Sequence, residues 1–287
     1  MKLVTFTRRG YSSIGKVVGQ EVIDLGSVAG FPRTMRELLE GSTAAMRRAG
    51  EVELGDASTF PLSDVRLEAP VAPSKFLAIG LNYRDHVAEA QQLGFKVPES
   101  QLWFNKQVSC ISGPFDAVHM PDVSDMLDCE AELGVVIGKR CYRVSAADAR
   151  SVIAGYVVCN DVSVRDWQRS SPTMQLGKSF NTHGPFGPWI VTDDEVPDPH
   201  DLNLRMLING QVRQQASTSQ MVFNIYDQIA YLSTVMTLEP GDVLSTGTPS
   251  GVGVAMSPPS YLKVGDVMRV EIDGIGHIEN TIVAAPR

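Results

Sequence analysis

Short apolar runs, many of them alternating with polar residues, dominate this chain and predict strands more often than helices. Near the N-terminus, "KLVTFT", "SIGKVVG" and "EVIDL" are strand-like segments punctuated by glycine. "TMRELLEGSTAAMRRAG" carries apolar positions at helical spacing and predicts a helix starting near Thr34, broken at Gly41. The proline-rich "LEAPVAPSKFLAIG" then opens a new apolar run, which places a boundary near Pro70 to Pro73 and divides the chain into units 1–69 and 70–287. Beyond it, "AELGVVIG", "IAGYVVCND", "PWIVTDDE", "LNLRMLING", "DVLSTGTP" and "VMRVEIDGIGHIENTIV" predict strands. Helices are predicted at "NYRDHVAEAQQLG", "SAADARSVIAG" and "NIYDQIAYLSTVMTL". Regular βαβ alternation and a glycine-rich nucleotide loop are both missing. The expectation is an α+β fold, strand-dominated and mixed, behind a small N-terminal α+β unit.

Charge and composition narrow the class. A net charge of −8 over 287 residues argues against nucleic acid as the main ligand. No apolar run has membrane-spanning length and no leader pattern stands at the start, so a cytoplasmic protein without a membrane partner is expected. Cys110, Cys129, Cys141 and Cys159 form no CxxC pair and read as reduced packing thiols.

The chemistry starts at "MLDCEAELGVVIG". Asp128, Glu130 and Glu132 alternate with apolar residues, so in a strand they share a face. Like charges there repel, and an apolar layer strips their hydration. Asp161 ends the apolar run "IAGYVVCND", and Glu130, Glu132 and Asp161 can converge on a hard divalent cation such as Mg²⁺, Mn²⁺ or Ca²⁺. No Cys or His accompanies them at zinc spacing. The alternative is a solvated face paired to Lys and Arg.

Three more clusters carry candidate roles. His86 and Glu89 lie three apart in "GLNYRDHVAEA", where a helix would make them a base dyad or a plain surface pair. Lys178, in "QLGKSFNTHGPFGPWIV", is placed to stabilise an oxyanion or merely to balance the acids. In "LSTGTPSGVG", backbone N–H groups and the Thr248 hydroxyl can hold a substrate carboxylate, or the segment is a simple turn.

Taken together, "GLNYRDHVAE", "DCEAELGVVIG", "AGYVVCNDVSVRDWQ", "GKSFNTHGPFGPW", "STGTPSGVG" and "YLKVGDVMRVEIDGIGHIEN" follow the order of the fumarylacetoacetate hydrolase family. The resemblance covers roughly residues 70–287, and the N-terminal unit resembles the small variable domain of many members. It implies a mixed β-roll catalytic domain, a homodimer and a Mg²⁺ or Mn²⁺ ion (Ca²⁺ in some crystals) held by Glu130, Glu132 and Asp161. Asp128 falls outside that ligand set, as a supporting or turn residue. His86 and Glu89 match the family's base dyad on a lid. Lys178 matches the oxyanion lysine, and Gln168 matches a glutamine that polarises the reacting carbonyl. Arg84, Gly247 and Thr248 are assigned to the substrate. Many bacterial members read "GKSFD", whereas this chain has Asn181, which implies a changed pocket charge.

The resemblance implies hydrolysis of a C–C bond in a β-diketo acid, an acylpyruvate or 2,4-diketo acid. Oxaloacetate decarboxylation and isomerisation of a 2-hydroxy-diene dioate use the same site, and a non-catalytic module with a structural metal is the alternative of another class. Substrate specificity is expected from segments 84–102, 168–176 and 253–262.

Overall fold

The computed structural model describes residues 1–92, 94, 96–97 and 99–286. As the sequence pattern predicts, the fold is α+β and built mainly from strands. Its centre is the antiparallel pair Ala131–Ile137 and Ile153–Asn160, every residue of which is buried. That burial explains the continuous apolar runs, because each face of these strands meets a different core. Leu133, Val135, Ile137, Tyr156 and Val158 pack with Leu204, Met206, Val270 and Ile278 of a second, five-stranded sheet. Val136, Val157 and Cys159 on the opposite face pack with Leu38, Leu39 and Ala49 from the N-terminal helices.

The central pair belongs to a 12-stranded sheet. Strand Val243–Ser245 flanks Ala131–Ile137 on one side and pairs in parallel with Phe76–Gly80, which carries Leu102–Lys106 at the edge. On the other side, Gly184–Thr192 joins Ile153–Asn160 to the N-terminal strand Lys2–Arg8. One sheet therefore runs from the N-terminal unit into the rest of the chain. The predicted break at Gly41 separates helix α1 (Met35–Glu40) from α2 (Ser42–Glu51). Thr34 caps α1, accepting from Glu37 N while the Glu37 side chain accepts from Thr34 N, a reciprocal capping box.

Helices α3 (Arg84–Gln92) and α5 (Ile225–Val235) also stand where predicted, the latter capped by the Asn224 side chain. Between them lies the one-and-a-half-turn α4 (Arg165–Arg169). "SAADARSVIAG" departs from expectation. Only a short 3-10 turn, Ala149–Val152, precedes strand Ile153–Asn160. Pairing with both 131–137 and 184–192 outweighs the local helical spacing there. Among the described residues, no helix is long and apolar enough to cross a membrane.

Candidate functional site

The register of the central pair sets Ala131 opposite Asn160, so Glu130, Glu132 and Asp161 emerge at one end of the sheet. Asp161 N donates to Glu130 O at 2.9 Å and closes that end. One carboxylate oxygen from each of the three acids lies within 4.8 Å of the others, all buried. The candidate ligand set is brought together.

Cations already compensate two of the three. Lys178 Nζ donates to Glu130 Oε2 at 2.5 Å and to Asp161 Oδ2 at 2.6 Å. Arg165 Nη1 lies 2.8 Å from Glu130 Oε1, and Lys106 Nζ lies 2.6 Å from Asp161 Oδ1. Burial works against ionisation of Glu130, yet Lys178 and then Arg165 hold its carboxyl well below the ordinary carboxylate range. Glu132 is different. It accepts the Gly247 N–H at 2.8 Å, and among the described residues no Lys or Arg nitrogen comes within 4.0 Å of it. Burial, followed by Asp161 and Glu130, pushes its carboxyl well above the usual range. A buried carboxylate crowded by two others lacks one positive neighbour. Three oxygen donors with that deficit fit a hard divalent cation.

Asp128 does not join the cluster. Strand Leu127–Asp128 ends before Ala131–Ile137 begins, so the alternation is interrupted at Cys129 and Glu130. The Asp128 carboxylate accepts from Arg165 Nε at 2.8 Å and from the N–H groups of Gly253 and Val254, each at 2.9 Å. It ties the arginine beneath Glu130 to the loop that walls the cavity.

That cavity, about 360 Å³, is lined by His86, Glu89, Glu130, Glu132, Arg165, Gln168, Lys178 and Thr248 on its polar side. Ile79, Leu102, Phe104, Met174, Val252 and Val254 supply apolar wall. His86 Nδ1 lies 2.8 Å from Glu89 Oε2, which leaves Nε2 as the ring's other nitrogen. Glu89 Oε1 accepts from Gly251 N at 2.9 Å, and Ser250 Oγ donates to Asp85 Oδ2 at 2.8 Å. These bonds dock α3 against the 250–251 turn.

Gln168 Oε1 accepts from Arg165 Nη1 at 2.9 Å and its Nε2 lies 3.8 Å from Met174 Sδ, so one amide proton remains to donate. Thr248 Oγ1 accepts from Gln214 Nε2 at 2.8 Å, and Gln214 Oε1 accepts from Ala131 N at 2.9 Å. Gly247 supports Glu132 through its N–H and does not line the cavity. Arg84 is exposed at the start of α3, also outside the lining. Asn181 is exposed in a turn and is not among the residues that line the cavity, so the expected change in charge does not fall on the cavity wall itself. Of the expected specificity segments, 168–176 and 253–262 contribute wall residues, among them Arg169, Ser171, Met174, Val254 and Ala255. Within 84–102, Leu93, Phe95 and Pro98 lie outside the described residues.

Sequence reasoning missed Lys106, Arg165 and Gln214. Arg165 was within reach, since it sits three before Gln168 in "RDWQ", one helical turn away. Nothing local marks Lys106 or Gln214, which reach the site from strands distant in sequence.

Fold and site together define a strand-built protein that gathers three buried carboxylates and a lysine below a helix-borne His–Glu pair. Residues 75–283 match the fumarylacetoacetate (FAA) hydrolase C-terminal family, and the chain belongs to the fumarylacetoacetate hydrolase family. It is 41% identical over 293 residues to "Oxaloacetate tautomerase FAHD2A, mitochondrial" of Homo sapiens, covering 99% of this chain and 92% of that protein. Among solved structures, a fumarylacetoacetate hydrolase from Exiguobacterium antarcticum shares 36% identity at TM-score 0.87, covering 99% of this chain and 100% of that one. The maleylpyruvate hydrolase of Sphingobium sp. SYK-6 in complex with manganese (II) ion and pyruvate shares 33% identity at TM-score 0.81, with 100% of both chains covered. These similar proteins are enzymes that carry the names of different reactions.

Proposed function

We propose that this protein is a divalent-metal-dependent hydrolase that cleaves the C–C bond of a 2,4-dioxo acid of the acylpyruvate type. The observation that carries the proposal is the His86–Glu89 pair facing the same cavity as Glu130 and Glu132, which cluster with Asp161. A divalent cation held by those three acids would supply Lewis-acid polarisation of the 2-oxo acid.

The chain's own residues do the rest. Glu89 accepts the Nδ1 proton and fixes the His86 tautomer, so Nε2 takes a proton from water. The hydroxyl adds to the 4-carbonyl carbon, the C3–C4 bond breaks, and a carboxylic acid leaves with the enol of pyruvate, which gains a proton at C3. Lys178 spends two of its three protons on Glu130 and Asp161, so one remains for a developing oxyanion. The Gln168 amide offers a second donor. The apolar wall of Leu102, Phe104 and Val254 gives an acyl tail a place to lie, which favours an acylpyruvate over a compact acid.

A second reading is supported by the 41% identity to a mitochondrial oxaloacetate tautomerase across nearly the whole chain. Keto–enol exchange needs proton transfer between C3 and the 2-oxygen, and the His86–Glu89 pair is chemically able to mediate it. One assay separates the two. With Mg²⁺ or Mn²⁺, pyruvate release from acetylpyruvate is followed beside the decay of the oxaloacetate enol absorbance, for the wild type, EDTA-treated protein and His86→Ala. Pyruvate release that falls about 10²–10⁴-fold in His86→Ala supports the hydrolase. Accelerated enol decay without acetylpyruvate cleavage supports the tautomerase and rejects the hydrolase.

A further inference from the structure

We infer that Gln214 fixes the direction of the Thr248 hydroxyl, so that its proton is offered to the cavity and the site takes an ionised carboxylate at the head of its substrate. The inference rests on the reading above, in which a 2-oxo acid places its head beside the carboxylate cluster. Gln214 is a positioning residue in it: Thr248 lines the cavity and Gln214 stands behind it.

Every polar atom of the Gln214 side chain has a fixed partner. The residue lies on strand Gln211–Ser217 at the edge of the five-stranded sheet and is 1% exposed. Its Oε1 accepts from Ala131 N at 2.9 Å, while Nε2 donates to Thr248 Oγ1 at 2.8 Å and to Pro249 O at 2.9 Å. Turning the amide over would set its NH₂ against the Ala131 N–H and its oxygen against the Pro249 carbonyl, so one orientation alone satisfies the site. An amide nitrogen cannot accept, so Thr248 Oγ1 is the acceptor in that bond. The hydroxyl has one proton of its own, and among the described residues no protein acceptor takes it within 3.5 Å. Thr248 is buried and lines the cavity, which is where that proton is left to go.

The same amide ties this donor to the acids. Ala131 stands between Glu130 and Glu132, and Gly247, the residue before Thr248, donates to Glu132 Oε2 at 2.8 Å. Turn 247–249 is therefore held to the acidic strand twice, by Gly247 directly and by Gln214 as a bridge. A hydroxyl held as a donor favours an ionised carboxylate, because hydrogen bonds to charged acceptors are the stronger ones, and disfavours a head group that presents a proton of its own.

A double-mutant cycle with Mn²⁺ tests this, using Gln214→Met, Thr248→Val and the double variant. Calorimetric binding of pyruvate, which keeps the carboxylate, is compared with that of acetylacetone, a β-diketone without one. Each single variant is expected to lose about tenfold in pyruvate affinity, and the double variant about tenfold as well, because Gln214 acts through Thr248. Acetylacetone affinity should change less than about twofold. Thr248→Ser, which keeps the hydroxyl, should stay close to the wild type. In acetylpyruvate turnover the loss should fall on KM, with kcat held within about twofold. If Gln214→Met does not fold, Gln214→Glu takes its place in the cycle, since it keeps the Ala131 acceptor and removes the amide donors.

Losses that multiply in the double variant, or an acetylacetone affinity that falls as far as the pyruvate affinity, overturn the role of Gln214 and leave the hydrolase proposal standing. A wild type that cleaves no acetylpyruvate overturns the hydrolase. In that event the pyruvate cycle still decides Gln214, upheld by losses that do not add and sunk by losses that do.

Discussion

Gly247 donates its backbone N–H to Glu132 Oε2 at 2.8 Å, which makes the Gly/Thr turn a support for the acidic cluster. Gly247 has φ +99°, in the left-handed region, and a Cβ built on it would lie 2.7 Å from Asn82 Cβ. Gly247→Ala should therefore displace the donor and destabilise the fold by about 1–3 kcal/mol. Urea unfolding and Mn²⁺ titration check this. Unchanged stability together with unchanged Mn²⁺ affinity contradicts the supporting role.

Glu132 makes the opposite kind of prediction. Its carboxyl is pushed above the ordinary range by burial, Asp161 and Glu130. A raised folded-state pKa means the stability it lends is present at low pH and is lost as pH rises through that raised value. Cation-free protein should thus have a lower Tm at a neutral pH than at an acidic one, and Glu132→Gln should lose less, because the amide still accepts from Gly247 without a charge. Mn²⁺ should raise the Tm of the wild type and leave Glu132→Gln nearly unmoved. Thermal melts with EDTA or Mn²⁺ at both pH values read all four cases.

Asp128 holds Arg165 Nε, Gly253 N and Val254 N with one buried carboxylate. Asp128→Ala strands the guanidinium and both amides, which should cost about 3–5 kcal/mol. Equilibrium urea denaturation measures the loss. A change below about 1 kcal/mol would show that Glu130 alone satisfies Arg165.

His183 supplies an acid-side signature away from the carboxylates. It is buried, its Nε2 lies 2.8 Å from His119 O, and burial holds its pKa down at about 4. A depressed folded-state value means its stability is present above the unfolded pKa near 6.5 and drains as pH falls toward 4. The span corresponds to about 3 kcal/mol at most. His183→Gln should flatten the stability profile between about pH 6.5 and 4, and parallel profiles for the two proteins would reject the assignment.

Much of the architecture was legible in the sequence, for physical reasons. Helices α1, α3 and α5 carry their own signals in caps and periodicity, as at Thr34 and Asn224. The twice-buried strand 131–137 announces itself through the apolar run Leu133–Ile137 that follows Glu132. The segment 145–155 misled because helical spacing is a local property, and strand Ile153–Asn160 is fixed by neighbours on both edges.

The candidate site divides in the same way. The sequence by itself determined the acids Glu130, Glu132 and Asp161, the His86–Glu89 spacing and Lys178, because alternation and ordered motifs lie along the chain. Only the tertiary structure decided which charges meet. The edge strand Leu102–Lys106 brings Lys106 to Asp161 by packing rather than by pairing, helix α4 brings Arg165 to both Asp128 and Glu130, and the turn at Gly247 reaches Glu132. It also leaves Arg84 and Asn181 outside the cavity and Arg169 on its wall without an acid. Charge compensation falls off within a few ångströms, and distances of that order between residues far apart in sequence are set by strand register and packing.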